Sequence, residues 1–562
     1  MRSSSTGNRT HVPAAPVRSR AARLAVSAGL ALTLALGGAA ALPATALAAE
    51  AQPAITIDSA KAPTGSYKVY YLVAGDFGTD GAMGNANVND AYKGLLTDAL
   101  KGLGYDPGTG ATDAAILDKL VAASADKNVG VEKVAKAVAA KLAAQGAPAA
   151  TATVKAADGT ATYNGPTGYY LVVSDPDAWD PQAAMTSAML VTLDGDGTAT
   201  TAKIQVPTLD KQVKDGDAGN GWDGTWSQLA DAGLVDGTPT VPTYQLVGTL
   251  PSNIGDYDTY QYKFVDTLPT GFDTANDGSE LAKWNVSIKT QDGKDLSDAF
   301  AATVTTDEKT HTSTVTWAAA DLKAALKDAG VADADLATTT VTLVYTPTYD
   351  KADLDRLYAN QSELGKPQVN SAHIEFSNNP VSGGDGLGHT PDHETYLYSF
   401  NLQVKKVDDS QEPQPLTGAK FTLTGADGKT LGRDITATDD GTFTFTGLEA
   451  DVEYTLTETQ TPEGKKAIEP IKFKLKVTKD GATNKVTAVS LADGSESDPS
   501  NAATFTVTDA TVTATVVNVP GPHLPNTGRA GIAAGVVVGG AIIAVSAVKI
   551  VRDRKGSEAD QR

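Results

Sequence analysis

The sequence predicts a mainly β protein, with an N-terminal mixed α/β domain followed by two β-sandwich domains in tandem. Three observations predict it. Short alternating runs rich in Thr, Val and Tyr recur between Gly, Pro and Asp-Gly turns over 203–519, the mark of half-buried strands. One stretch rich in Ala, Leu and Lys, 91–146, breaks that pattern with helical spacing. Finally, 562 residues suggest about three or four domains at roughly 150 residues each.

The chain opens on a processing signal. Residues 1–49 hold Arg2, Arg9, Arg18, Arg20 and Arg23 and no acid, and an apolar run over 24–42 follows. Ala46-Leu47-Ala48 fits a small-x-small cleavage site, so 1–49 read as a secretory signal peptide. The first domain, 50–202, starts with strand-like Ala54-Ile55-Thr56-Ile57 and Tyr67-Lys68-Val69-Tyr70-Tyr71-Leu72. Ile116, Leu120 and Val121, then Val134, Val138 and Leu142, are spaced to face inward from helices. Strands return at Gly168-Tyr169-Tyr170-Leu171-Val172-Val173 and 188–193, and Asp194-Gly195-Asp196-Gly197 reads as a hairpin turn rather than a calcium loop.

The second domain, 203–380, shows alternation at 260–268, 340–345 and 371–378, with short helices near 321–328 and 351–358. A Gly- and Pro-rich stretch makes 381–395 a linker. The third domain, 396–523, alternates Thr and Val between Asp-Gly turns at Asp427-Gly428 and Asp440-Gly441, as a β-sandwich does. Leu524, Pro525, Asn526, Thr527 and Gly528 then precede an apolar transmembrane segment, 530–550, and a basic cytoplasmic tail, 551–562. Its apolar stretch, the nineteen residues 530–548, reaches about 28 Å as a helix, close to one hydrocarbon core.

Composition excludes several functions. Without cysteine there is no thiol catalysis, Cys–zinc site or disulfide. Lys and Arg number 46 against 67 Asp and Glu, a net charge of −21, which rules against coating nucleic acid. Removing 5 basic residues with 1–49, and 6 basic and 3 acidic with 528–562, leaves 35 basic and 64 acidic groups, a net charge of −29. Such copies repel one another at range, so an assembly of them calls for more than surface adhesion. No Ser/His/Asp set or phosphate loop stands out, and Pro391 separates His389 from His393, so no helical metal pair forms. No cofactor and no metal is expected, and the chain reads as a non-enzyme.

Charged and amide residues on buried strand faces are the informative anomaly. Alternation puts i, i+2 and i+4 on one face. Phe400, Leu402 and Val404 lead to Lys406; Tyr454 and Leu456 lead to Glu458; Val512, Ala514 and Val516 lead to Asn518. The second domain repeats the set. Leu209 leads to Lys211 and Val213; Tyr260, Tyr262 and Phe264 lead to Asp266; Ala372, Ile374 and Phe376 lead to Asn378. An unpaired buried charge costs several kcal/mol, so each Lys, acid and Asn are expected to meet. Burial disfavours charge, leaving a neutral amine as nucleophile and a protonated Asp266 or Glu458 to polarise the amide carbonyl. Attack and loss of ammonia yields a Lys–Asn isopeptide bond once per site.

The motifs carry a resemblance. Leu524-Pro525-Asn526-Thr527-Gly528, apolar span and basic tail resemble the sorting signal of Gram-positive surface proteins. This implies that a sortase cuts between Thr527 and Gly528 and passes the Thr527 carbonyl to an amine. Lys406-Val407-Asp408, Leu416-Thr417-Gly418-Ala419-Lys420-Phe421, Tyr454-Thr455-Leu456-Thr457-Glu458-Thr459 and Val517-Asn518 resemble a collagen-adhesin B-type domain. Pro207-Thr208-Leu209-Asp210-Lys211, Val265-Asp266-Thr267-Leu268-Pro269 and Ser377-Asn378-Asn379-Pro380 resemble the second domain of fimbrial shaft pilins, and 67–77 with 168–172 their N-terminal domain. The chain thus resembles the major backbone pilins of sortase-assembled Gram-positive pili.

That resemblance implies intramolecular bonds Lys211–Asn378 and Lys406–Asn518, with Asp266 and Glu458 as promoting acids. It implies a cell-wall surface location and, as partners, a pilus-specific sortase, a housekeeping sortase with peptidoglycan, identical subunits, minor or tip pilins and a host or glycan receptor. Two departures stand out. Pro462-Glu463-Gly464-Lys465 lacks the Tyr that many relatives carry after that Gly. The Val-Tyr-Pro-Lys polymerisation motif is absent; Lys203 stands in its place, with Lys214 as runner-up. Ile204 and Val206 alternate out of phase with Lys203, which is therefore expected to be exposed. The alternative is a monomeric wall-anchored adhesin, which shares the secretion signal, sorting signal and β-domains and differs in lacking a polymerising lysine.

Overall fold

The computed structural model describes residues 53–521 except 79–82, 145, 181–182, 215–226, 228, 232–233, 236–237, 240, 270–278, 308, 311, 349–366, 382–383, 385, 427, 429, 439, 483–484 and 495. The expected signal peptide, sorting motif, transmembrane segment and tail, and the helix expected near 351–358, lie outside the described residues. Two compact units form. One holds the chain up to Val213 with Thr243–Thr348 and Val369–Thr395; the other holds Lys214–Pro242, Tyr349–Gln368 and the chain from Tyr396.

In the first unit, the apolar runs around Tyr70 and Leu171 make adjacent central strands, Ser66–Phe77 and Gly168–Ser174. Met83–Val88, Met189–Leu193 and Ala152–Lys155 extend that sheet. Helices Lys93–Gly102, Asp113–Ala125 and Gly130–Leu142 supply the rest of its core. Leu96, Leu100, Ile116, Leu120, Val134 and Val138 are buried, as their spacing requires. Thr112 caps the second helix by accepting from the Ala115 N–H.

The turn at Asp194 is tight, with the Gly197 N–H bonded to the Asp194 carbonyl and Gly197 at φ +79°. It does not close the expected hairpin. Met189–Leu193 stays with the large sheet, while Thr198–Thr201 runs parallel to Ile55–Asp58 in a three-stranded sheet. The parallel partnership supplies the ladder bonds that a hairpin would otherwise provide.

The same unit contains a sandwich of two sheets. One orders Ser287–Thr290, Thr340–Tyr345, Thr243–Thr249 and Leu209–Lys214. The other places Tyr262–Leu268 between Thr312–Ala319 and Gln368–Ser377. Strict alternation buries one face of each strand, with Tyr262, Phe264, Trp317, Leu343, Tyr345 and Ile374 in the core. The expected helix near 321–328 forms over Leu322–Asp328, with Asp321 accepting from the Ala324 N–H. Within the stretch expected as a linker, Leu387–His389 pairs with Glu375–Ser377.

The second unit is built around another sandwich. Thr442–Leu448, Phe400–Asp408, Thr511–Asn518 and Ala503–Thr508 form one sheet; Thr430–Thr436, Lys420–Thr424, Glu453–Gln460, Ile471–Lys479 and Val486–Leu491 form the other. Phe400–Asp408 and Thr511–Asn518 run parallel, with Lys406 opposite Val516 and Asp408 opposite Asn518. Parallel neighbours need a long crossover, supplied by the facing sheet.

Candidate crosslinking sites

Lys406 continues the buried face of Phe400, Leu402 and Val404, and Asn518 that of Val512, Ala514 and Val516. Because these strands are parallel, both residues reach the same end of the sheet. Glu458 arrives from Glu453–Gln460 in the facing sheet. The Lys406 and Glu458 side chains are both fully buried, with Nζ 3.5 Å from Oε1. Lys406 Nζ also donates to the Val516 carbonyl at 3.4 Å. The Asn518 amide donates to Glu458 Oε2 at 3.3 Å and to the Lys466 carbonyl at 2.5 Å. Burial lowers the Lys406 ammonium to about 8, with Glu458 opposing that shift only in part.

Lys211 lies between Leu209 and Val213 on the inner face of its strand, and Asp266 faces it from the other sheet. Their side chains are fully buried and 2.7 Å apart, Nζ to Oδ2. Burial pushes the Lys211 ammonium down despite this carboxylate.

Asn378 is not brought to this pair, which corrects the sequence expectation. Asp266 sits opposite Ala372 in an antiparallel register, so Asn378 lies six residues further along, about 20 Å at ~3.4 Å per residue. Its amide donates to the Ala183 carbonyl instead, and its N–H to the Gly386 carbonyl. The side chain that does arrive is Asn370, 1% exposed and on the same strand face as Ala372. Asn370 Nδ2 donates to the Tyr345 hydroxyl at 2.9 Å, and that hydroxyl donates to Asp266 Oδ2 at 2.8 Å. The signal was present in the sequence. Asp266 ends its apolar run at the C-terminal side, so an antiparallel neighbour must offer its N-terminal side, where Asn370 precedes Ala372, Ile374 and Phe376.

The two clusters share an unusual deficit. Asp266 Oδ1 and Asn370 Oδ1 have no hydrogen-bond partner among the described residues, and neither do Glu458 Oε1 and Asn518 Oδ1. A carboxylate oxygen and an amide oxygen are both acceptors, so neither can satisfy the other. A protonated carboxyl group carries an O–H that an amide oxygen can accept. The arrangement can therefore polarise an amide carbonyl beside a buried amine.

Lys203 lies outside any strand. Its ammonium pairs with Glu132 at 2.8 Å, and its side chain is 41% exposed. The alternation expected around it holds at Ile204, which is buried, and fails at Val206, which is 45% exposed. Pro207 follows, and a residue without an N–H cannot continue a ladder. Lys214 ends its strand, half-buried. Leu524, Pro525, Asn526, Thr527 and Gly528 lie outside the described residues. Among the described residues no helix is long and apolar enough to cross a membrane, and no cluster of three His, Asp or Glu could hold a metal ion.

Residues 400–491 match the family described as SpaA, prealbumin-like fold domain. No curated protein matches the chain. Solved structures similar to it include the T6 backbone pilin of serotype M6 Streptococcus pyogenes, at 14% identity and a TM-score of 0.49, covering 84% of this chain and 100% of that one. The full-length major pilin SpaD of Corynebacterium diphtheriae is 16% identical with a TM-score of 0.41, covering 84% and 98%. The major pilin SpaA of the same organism is 14% identical with a TM-score of 0.43, covering 83% and 100%.

Proposed function

We propose that this chain is the shaft subunit of a covalent pilus anchored to a Gram-positive cell wall, stiffened by two internal isopeptide bonds. The observation that carries the reading is the pair of buried Lys–acid–Asn clusters, each with a carboxyl oxygen and an amide oxygen that accept no hydrogen bond among the described residues. The family match over 400–491 and the sorting signal at 524–528 support it. The bonds are Lys211–Asn370, replacing the expected Lys211–Asn378, and Lys406–Asn518.

At each site the ammonium passes a proton to the carboxylate, giving a neutral amine and a carboxylic acid. The acid donates to the Asn carbonyl oxygen while the amine attacks the amide carbon. The new C–N bond forms, the old one breaks, and the departing nitrogen takes a proton and leaves as ammonia. Each site reacts once, so the chain processes itself without turnover.

Polymerisation joins the Thr527 carbonyl of one copy to Lys203 of the next by a pilus sortase, with Lys214 as the second candidate; a housekeeping sortase passes the last subunit to peptidoglycan. Minor pilins at the tip and a host or glycan receptor complete the partners. Pulling force then runs through covalent bonds between first and last strands of each sandwich rather than through sheet hydrogen bonds.

An immunoblot of cell-wall extracts tests the reading. A boiling-resistant ladder that collapses to monomer in Lys203→Ala supports both polymer and attachment point. A ladder that persists moves the linkage to Lys214. A single monomer band from the native chain rules out the shaft and leaves a monomeric wall-anchored adhesin.

A further inference from the structure

The two clusters differ in how the acid reaches the amide nitrogen that must leave. Glu458 touches it directly, accepting from Asn518 Nδ2 at 3.3 Å. Asp266, one methylene shorter, does not. Between Asp266 and Asn370 stands the Tyr345 hydroxyl, which donates to Asp266 Oδ2 at 2.8 Å and accepts from Asn370 Nδ2 at 2.9 Å. The ring is fully buried and held by Tyr244, Trp284 and Trp317, with centroids 5.2–5.3 Å away. A side chain so tightly packed keeps its hydroxyl between acid and amide.

We propose that Tyr345 is a catalytic proton relay for the Lys211–Asn370 bond, carrying a proton from the Asp266 side to the departing Asn370 nitrogen. The inference rests on the crosslinking reading given above. In the step, Lys211 Nζ bonds to Asn370 Cγ as the Asp266 acid gives its proton to the amide oxygen; the carboxylate so formed takes a proton from Nζ, and the oxygen returns its own when the carbonyl re-forms. As the Cγ–Nδ2 bond breaks, Tyr345 hands its hydroxyl proton to Nδ2 and takes one from the Asp266 carboxyl group. Ammonia leaves, the phenol is restored, and no oxidant or cofactor is consumed. Burial and the nearby Asp266 hold the phenol far from ionising, so Tyr345 keeps the proton it must pass on. At the other site the longer Glu458 needs no intermediary.

The test follows bond formation during cell-free synthesis of the full chain, with samples quenched in acid, digested, and the two crosslinked peptides quantified by mass spectrometry. Tyr345→Phe keeps the ring and deletes the relay; the Lys211–Asn370 peptide is expected to form about 100-fold more slowly or worse. The Lys406–Asn518 peptide serves as the clock and is expected at its native rate. Tyr345→Phe combined with Asp266→Glu lengthens the acid to match Glu458 and is expected to restore the bond, which repair of packing alone would not do. Native-rate closure in Tyr345→Phe overturns the relay, and so does slow closure that Asp266→Glu leaves unrescued.

If near-ultraviolet circular dichroism shows that the phenylalanine chain does not fold, 3-fluorotyrosine in place of all tyrosines keeps ring and hydrogen bonds while making the phenol more acidic. The relay requires the rate at Asn370 to change while that at Asn518 does not; unchanged rates at both sites overturn it. A native chain in which Lys211 never joins Asn370 overturns the crosslinking reading itself, and is told apart because no variant is involved.

Discussion

Replacing Asn370 by Ala removes the electrophile of the first-unit bond while leaving the Lys211–Asp266 pair at 2.7 Å intact. The effect therefore isolates the crosslink, whereas Lys211→Ala would also strand a buried carboxylate. A bond from Lys211 to Asn370 closes a loop of about 160 residues, and chain-entropy scaling by analogy with disulfides makes that worth about 5 kcal/mol. Spread over a domain of this size, such a loss lowers the melting temperature by about 10–20 °C. Two assays read it. Measured against the mass calculated from its own sequence, the variant should sit about 17 Da higher than the native chain does, one ammonia being retained, and the calorimetric transition of the first unit should fall by the stated amount. Asn378→Ala is the control and should keep the native crosslink, because its amide is bonded to the Ala183 carbonyl some 20 Å away by strand spacing. Loss of the crosslink in Asn378→Ala with its retention in Asn370→Ala would refute the register argument outright.

Glu458→Gln is expected to block the Lys406–Asn518 bond while the first-unit bond still forms, so digests should contain one crosslinked peptide instead of two. It also leaves Lys406 buried without its carboxylate, and the second unit should lose about 3–5 kcal/mol in denaturant titrations. Without its bond, Asn518→Ala turns Lys406 into a pH-sensitive element. The folded ammonium is held at about 8 against an ordinary 10.5, so between those values the unfolded chain binds the extra proton and stability rises with pH. Falling pH removes that contribution until about 8, below which both states are protonated. Urea midpoints of Asn518→Ala should thus climb from pH 8 to 10 more steeply than those of Asn518→Ala/Lys406→Met; parallel curves would refute the assignment.

How much of this was legible beforehand depends on whether a feature is local. The alternation of Phe400, Leu402, Val404 and Lys406, or of Leu209, Lys211 and Val213, is local. It fixed which face each lysine takes, because a pleated strand has a period of two and an outward slip would expose the whole apolar set. Helical spacing placed Ile116, Leu120, Val134 and Val138 in a core for the same kind of reason. Composition, with no cysteine, excludes thiol chemistry without any fold.

Partner choice was not local. Both asparagines expected from parity extend an apolar run at its C-terminal end. For Asn518 that suffices, since its strand runs parallel to the strand of Lys406 and like ends coincide. For the first unit it fails, since the strands of Asp266 and Asn370 are antiparallel and the C-terminal end of one meets the N-terminal end of the other. The hairpin expected at Asp194 failed for a related reason, its second strand finding a parallel partner elsewhere. Tyr345 was invisible because nothing in its own strand separates it from an ordinary core aromatic; only the facing sheet brings Asp266 and Asn370 to its hydroxyl. Alternation along the chain settles which face of a strand turns inward, because the pleat has a period of two. The tertiary structure decided which buried groups meet, because strand direction and register belong to pairs of strands that lie far apart along the chain.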